Sequence, residues 1–334
     1  MYPRQQSSLF RSLLVVAVLA LASADSSASA QQTPGFRTAV DVVRHSVAVL
    51  NSRGEPVPGL QATDFRIEED GVPQEISVFL APGSAPLDVA LVLDSSTSLL
   101  HWSRVVRNAA KTFLRRLDVR DCVYLLPFNE VVGPGRWARS LEPALAARID
   151  GIFMDGGTAL HDALIDGMST VYSMSTGRPR IELDSRAGEV ADRGSCSARP
   201  EADTETIPLR RAALVLLTDG DDHDSERRFD EVLDAARQTA IPVFPMVLGA
   251  ARIDELLDEK LRRLAGETGG MIIDAVRPDE LESAYDDVVV MLRASYLLGY
   301  GPESPAAQPV RQRRVSVRSR RPSYRLVFRQ YYYR

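Results

Sequence analysis

The feature that most restricts the fold is an alternation of short apolar segments with segments of helical periodicity, which begins at Leu87. Continuous apolar runs separated by helices are typical of a parallel sheet whose two faces are both covered by helices. We therefore predict an α/β fold with a doubly wound, mostly parallel sheet. The predicted strands are residues 87–93, 122–128, 212–217, 241–248 and 271–273. The predicted helices begin near residues 105, 144, 160, 229, 258 and 279.

The segments on either side of this region have a different pattern, in which apolar and polar residues alternate as in half-buried strands. Such alternation occurs within residues 38–80 and returns after Tyr296, where Arg321-Pro322-Ser323 is a plausible hairpin turn. Each half alone has a marginal core and unpaired strand edges. We expect the halves to pair into one small β domain into which the α/β domain is inserted. The predicted limits are residues 31–84 for the N-terminal β segment and linker, 85–297 for the α/β domain and 298–334 for the Arg-rich C-terminal β segment.

Residues 175–209 interrupt the α/β pattern with a stretch rich in Arg, Glu, Asp, Ser, Gly and Pro. Such a composition does not bury a core, so we predict a flexible surface insertion. The alternative is a loop that binds a partner.

The N-terminus has the three parts of a secretory signal peptide. Arg4 and Arg11 form a basic region, residues 13–22 are apolar, and Ala28-Ser29-Ala30 supplies small residues at a cleavage site. We predict that residues 1–30 are removed after Ala30 and that the protein is periplasmic or secreted. An uncleaved membrane anchor is the alternative, but the apolar run is short for a membrane span. Nothing later in the chain has the pattern of a transmembrane segment.

The cysteines, the net charge and the basic tail do not identify a partner. An exported chain can form a disulfide, but Cys196 lies in the polar insertion. We therefore expect unpaired thiols at Cys122 and Cys196, with a disulfide between them as the alternative. The net charge of −5 is too small to indicate a partner. The basic tail has the composition of some nucleic-acid-binding segments. For an exported protein we expect a solvated strand face there, and no nucleic-acid partner.

Oxygen-bearing side chains follow three of the predicted structural elements. Asp94, Ser96 and Ser98 lie at alternate positions just after the first α/β strand, Thr158 precedes a helix, and Asp219 follows another strand. Open α/β sheets bind ligands at the carboxyl ends of their strands, so these side chains should converge. Carboxylate and hydroxyl oxygens suit Mg²⁺, with Mn²⁺ or Ca²⁺ as substitutes.

These five positions resemble the metal-ion-dependent adhesion site of von Willebrand factor type A domains and integrin inserted domains, in residue type and in order. The resemblance extends to a bacterial group of exported proteins related to von Willebrand factor type A. The segments that carry this further likeness are Val57-Pro58-Gly59-Leu60, Asp64-Phe65, Glu69-Asp70-Gly71 and Tyr296-Leu297-Leu298-Gly299-Tyr300. The insertion at residues 175–209 departs from the pattern, but it enters at the sheet end opposite the site.

The resemblance implies a role for each residue of the site. Ser96, Ser98 and Thr158 would contact the metal, Asp94 and Asp219 would act largely through bound water, and a carboxylate of a protein partner would complete the coordination. The loops around the site would form a rim that selects the partner. The rim residues that we single out are Asp155, Gly157 and Asp221.

The resulting hypothesis is an exported, divalent-metal-dependent protein-binding or adhesion module, and not an enzyme. A metal-dependent hydrolase and an envelope assembly factor with an incidental metal site are the alternatives. A hydrolase needs a positioned base or nucleophile, and the five residues supply only ligands. Ser98 has the alternative role of capping the following helix.

Two further polar features have a simpler explanation than metal binding. We interpret Asp221, Asp222, His223 and Asp224 as a solvated loop, with a second cation site as the alternative. We interpret His161-Asp162 as helix surface.

Overall fold

The computed structural model describes residues 42–176, 180, 196, 210–220, 222–249, 255–275, 277–301 and 312–333. The chain divides into two units, Met1–Val40 and Asp41–Arg334, and all described residues belong to the second. The predicted signal peptide therefore lies outside the described residues, and so does most of the predicted insertion. Within the described ranges, no helix has the length and apolar character needed to cross a membrane.

The secondary structure follows the predicted order. The strands are β1 (Val43–Leu50), β2 (Phe65–Glu69), β3 (Val72–Gln74), β4 (Val78–Leu80), β5 (Leu87–Asp94), β6 (Cys122–Phe128), β7 (Arg136–Arg139), β8 (Arg211–Thr218), β9 (Val243–Leu248), β10 (Ile273–Ala275), β11 (Ser295–Tyr300), β12 (Gln312–Ser319), β13 (Arg325–Phe328) and β14 (Tyr331–Tyr333). The α-helices are α1 (Ser103–Arg116), α2 (Pro143–Asp150), α3 (Leu160–Thr176), α4 (Phe229–Thr239), α5 (Glu255–Thr268) and α6 (Leu281–Ala294).

The central sheet has six strands in the order β10-β9-β8-β5-β6-β7. All neighbouring strands run parallel except β7, which pairs antiparallel with β6. This arrangement confirms the predicted doubly wound, mostly parallel sheet. The last predicted strand is displaced by two residues, since β10 begins at Ile273.

Strand β5 is buried along its whole length because helices cover both faces of the sheet. Val89, Leu91 and Leu93 pack with residues of α1 and α6 on one face. Ala90 and Val92 pack with residues of α3 and α4 on the other. The continuous apolar sequence of β5 therefore reflects its position in the middle of the sheet.

The flanking segments form two four-stranded sheets, ordered β13-β1-β11-β4 and β14-β12-β2-β3. Strand β1 pairs antiparallel with β11 and β13, and β2 pairs antiparallel with β12. The predicted pairing of N-terminal with C-terminal strands is thus observed. The inner faces of the two sheets share one core, which includes Val47, Ile67, Tyr296 and Val315. Strand β11 crosses the predicted domain limit at residue 297, and the domain limits stay a prediction.

The expectation of unpaired thiols is wrong. Cys122, at the start of β6, forms a disulfide with Cys196, and the two Cα atoms are 6.0 Å apart. Both cysteines are buried in the apolar cluster on the face of the sheet that α3 and α4 cover. The polar sequence around Cys196 gave no sign of this burial.

Candidate metal centre

The carboxylate of Asp94 lies at the end of β5, fully buried. Its Oδ1 accepts a hydrogen bond of 2.8 Å from the backbone N–H of Ser96, and its Oδ2 accepts one of 2.6 Å from the Thr218 hydroxyl. Thr218 is the last residue of β8, the neighbour of β5 in the sheet. Asp94 is therefore held by the loop that follows it and by the end of the adjacent strand.

Two serine hydroxyls continue this network toward Asp219. The Oγ atoms of Ser96 and Ser98 are 2.9 Å apart, and the Ser98 hydroxyl donates a hydrogen bond of 2.7 Å to Oδ1 of Asp219. The short 3-10 helix Thr97–Trp102 begins after Ser96 and has no side-chain cap. The hydroxyl of Ser98 thus points to the loop after β8 and does not cap the following helix.

Thr158 reaches the same place from a third loop. A Cβ atom built on Gly220, the residue after Asp219, would lie 3.9 Å from Thr158 Oγ1. The Thr158 N–H donates a hydrogen bond of 2.7 Å to Oδ2 of Asp224, and its carbonyl oxygen accepts one of 3.0 Å from the N–H of His223. The structure therefore brings together the loops that carry all five predicted residues.

The buried carboxylate of Asp94 lies close to the partly exposed carboxylate of Asp219, so their charges repel each other. Burial is the main cause that raises the pKa of Asp94 to about 6, and the charge of Asp219 raises it further. Within the described ranges, no group of three or more His, Cys, Asp and Glu residues is placed to hold a metal. A cation at this cluster would therefore depend on hydroxyl oxygens together with the two carboxylates.

No protein-family model matches the chain. Among curated proteins, the chain is 28% identical over 178 residues to integrin alpha-1 of Gallus gallus, a match that covers 52% of this chain and 53% of that protein. This similarity agrees with the resemblance to integrin inserted domains that the five site residues carry. Because the match spans only about half the length of the curated relative, the activity of the whole relative does not carry over.

Solved structures similar to this chain include one described as von Willebrand factor type A from Catenulispora acidiphila. Its TM-score is 0.46 at 12% identity, and the match covers 85% of this chain and 74% of that chain. Another is proximal thread matrix protein 1 from the mussel byssus with a zinc-occupied MIDAS motif, with a TM-score of 0.44, 15% identity, and coverage of 67% and 49%. No functional conclusion follows from similarities at these scores.

Two carboxylates whose role the sequence analysis did not predict support the Thr158 loop of the α/β domain. Glu130 Oε2 accepts a hydrogen bond of 2.9 Å from the N–H of Gly157, and Asp224 binds the N–H of Thr158 as described above. A Cβ atom on Gly156 would collide with Glu130, and one on Gly157 would collide with Asp224. The glycine pair therefore allows two acidic side chains to reach this backbone. The available signal was that Glu130 and Asp224 follow the ends of β6 and β8 closely.

The predicted rim has one exposed carboxylate in the described residues. Asp155 is exposed, and its Oδ1 accepts a hydrogen bond of 2.9 Å from the N–H of Gly156. Gly157 lies in the same loop, and Asp221 lies outside the described residues. The role of these three residues as a rim stays a prediction.

One interpretation of the neighbouring polar residues is wrong, and another is incomplete because His223 and Asp224 are exposed but Asp222 is only partly so. His161 is buried and not helix surface, and its Nδ1 lies 3.1 Å from Oδ2 of Asp222. The loop after β8 is not simply solvated, since Asp222 also accepts a hydrogen bond from the N–H of His161, and Asp162 accepts bonds from the N–H groups of Glu226 and Arg227. The N–H groups at the start of α3 need acceptors, and Asp222 of this loop supplies one. In return, Asp162 of α3 accepts hydrogen bonds from N–H groups of the loop.

Proposed function

We propose that the protein is a metal-dependent protein-binding or adhesion module whose cation lies among Asp94, Ser96, Ser98, Thr158 and Asp219. The serine and threonine hydroxyls would contact Mg²⁺ directly, with Mn²⁺ or Ca²⁺ as substitutes, and the two aspartates would hold it largely through water. The observation that carries the proposal is the continuous set of contacts from Thr218 through Asp94, Ser96 and Ser98 to Asp219.

The chemistry of the cluster fits a hard divalent cation. Its side-chain donors are all oxygens, which Mg²⁺ and Ca²⁺ prefer. Burial and the charge of Asp219 raise the pKa of Asp94, and a cation bound nearby would favour its ionised form. The cation would also offer an open coordination position for a carboxylate of a partner.

Exposed apolar side chains near the cluster support a protein partner. Leu100 and Trp102 belong to the 3-10 helix that follows Ser96, and Phe153 lies on the loop that leads to Thr158. Phe153 is 84% exposed, which is unusual for so large an apolar side chain. We infer that the partner presents an Asp or Glu next to a bulky apolar residue, so that binding energy concentrates in a few side chains.

The hydrolase alternative has less support than binding. His161 is a potential base near the Thr158 loop, but its Nδ1 is engaged by Asp222 and by the carbonyl oxygen of Arg227. Glu130 and Asp224 hold backbone N–H groups of the loop. These contacts favour positioning roles over catalysis. An assembly factor with an incidental metal site predicts partner binding that does not depend on the cation.

Two observations support export to the periplasm or the outside of the cell. The N-terminal sequence has the pattern of a signal peptide. Cys122 and Cys196 form a disulfide, and disulfides persist in oxidising compartments such as the periplasm.

A peptide-display selection tests the proposal. The purified protein is presented with a random library in Mg²⁺, and bound clones are eluted with EDTA. We expect enrichment of a single Asp or Glu beside a large apolar residue, and loss of binding in Thr158→Ala. Phe153→Ala should retain the requirement for Mg²⁺ but lose the apolar preference. Clones that bind equally well in EDTA and to Thr158→Ala would refute the metal-dependent mechanism.

A further inference from the structure

A cavity of about 200 Å³ lies at the amino end of the central sheet, where β1 meets the starts of β8 and β9 and the ends of α3 and α4. The proposed metal centre lies at the carboxyl end of the same sheet. The described residues that line this cavity include no Asp or Glu. They include five arginines, namely Arg44, Arg210, Arg211, Arg237 and Arg329.

Two of these arginines have carboxylate partners behind the cavity wall. Arg210 forms an ion pair of 2.7 Å with Asp88, and Arg237 forms one of 3.0 Å with Glu267. Their charges are therefore largely balanced within the protein.

Arg211 and Arg329 differ, because they are buried without such partners. They are only 5% and 6% exposed, and neither has an ion pair among the residues that the structure describes. Arg211 donates to the carbonyl oxygen of Ser295, and Arg329 donates to that of Arg237 over 3.4 Å. Arg329 also lies over the ring of Tyr332, with 5.6 Å between its Cζ and the ring centroid.

These neutral contacts compensate only part of the charge. A guanidinium stays protonated in proteins, so burial cannot be relieved by loss of the proton. Burial does lower the pKa of Arg211 and of Arg329, in each case to about 10, which leaves both cationic at neutral pH. The carboxyl ends of α3 and α4 add roughly half a negative charge each. The carboxylate of Asp121 also attracts Arg211, but it is itself ion-paired with Arg293. Two guanidiniums without an ion pair therefore leave the cavity with net positive charge.

We propose that this cavity is a binding site for a small oxyanion of the size of phosphate or sulfate. Buried charges in proteins are stable only when they are paired and hydrogen-bonded. Arginine has planar, multiply donating geometry that suits tetrahedral oxyanions. The anion would link residues of β8 in the α/β region with Arg329, which follows β13 of the small β sheets.

Calorimetric titration of the purified protein with sodium phosphate and sodium sulfate tests this site. Each is compared with chloride at equal ionic strength, in EDTA so that the metal centre does not take part. We expect saturable binding with one anion per chain. Arg211→Gln and Arg329→Gln should each weaken it at least tenfold. Arg318→Gln, which removes an exposed arginine of β12, should leave it unchanged and serves as the control.

A wild-type crystal soaked with selenate keeps the proposal testable if the buried-arginine variants fail to fold. An anomalous peak within hydrogen-bond distance of Arg211 or Arg329 supports the site. Anion density found only on the outer surface, a carboxylate of the chain itself in the cavity, or titrations that resemble those with chloride would each overturn the proposal.

Discussion

Replacing Asp94 with asparagine should stabilise the metal-free protein at neutral pH and abolish its response to Mg²⁺. The change keeps the shape of the side chain and removes the buried charge beside Asp219. Asparagine Oδ1 can still accept the hydrogen bond from the N–H of Ser96. The Nδ2 group can donate to the Thr218 hydroxyl, which then turns toward the carbonyl oxygen of Gly220, 3.4 Å away. The hydrogen bonds around the site therefore survive the substitution.

The expected size follows from the pKa of Asp94, which is raised from 3.8 to about 6 by burial. A carboxyl group with a raised pKa in the folded state contributes stability that is complete below pH ~4 and is lost as the pH rises through ~6. The difference between 3.8 and about 6 corresponds to roughly 3 kcal/mol. Metal-free wild type should lose up to that amount between pH ~4 and ~7, and Asp94→Asn should not.

Urea unfolding followed by tryptophan fluorescence measures this effect, in metal-free buffer and in Mg²⁺, from pH ~4.5 to ~7.5. A cation that binds only the folded state at about a hundred times its dissociation constant adds roughly 2.7 kcal/mol. That gain should appear in wild type at pH ~7 and not in Asp94→Asn. The reasoning is refuted if Asp94→Asn is the less stable protein without metal at pH ~7, or if Mg²⁺ stabilises both proteins equally.

Three further predictions concern the disulfide, the Thr158 loop and export. Cys196→Ser removes a link across a sequence separation of 74 residues and should lower the free energy of unfolding by up to about 4 kcal/mol; a reductant should lower the melting temperature of wild type and leave the variant unchanged. Asp224→Ala should weaken Mg²⁺ binding roughly tenfold in calorimetry by loosening Thr158, whereas Asp230→Ala, at an exposed position of α4, should not. Mass spectrometry of the exported protein should find a mature chain that begins near Gln31, and recovery of only the full-length chain from the cytosol would contradict export.

The sequence predicted the central sheet because its signals are local. Strand β5 is an apolar run with both faces buried, and such a run is visible in one chain without any knowledge of its neighbours. The convergence of the loops that carry the five proposed site residues was predictable for a related reason. Each follows or precedes a regular element, and parallel strands place their carboxyl ends at one edge of the sheet.

Features that depend on contacts between distant segments were not predictable in the same way. The partner of Cys122 lies in a polar segment whose sequence gives no sign of burial. Glu130 and Asp224 follow strand ends, but their bonds to backbone N–H groups depend on how separate loops pack, which the sequence of neither loop shows. The burial of His161 follows from the position of the loop after β8 and from the ring of Phe229, whose centroid lies 5.8 Å from that of His161.

A crystal structure of the protein with Mn²⁺, with data collected at the manganese edge, tests the central claim most directly. The proposed function predicts one anomalous peak bounded by Ser96 Oγ, Ser98 Oγ and Thr158 Oγ1, with Asp94 and Asp219 in reach through water, and no such peak in Asp94→Ala. A peak at another place, or full occupancy of this place in Asp94→Ala, would contradict it.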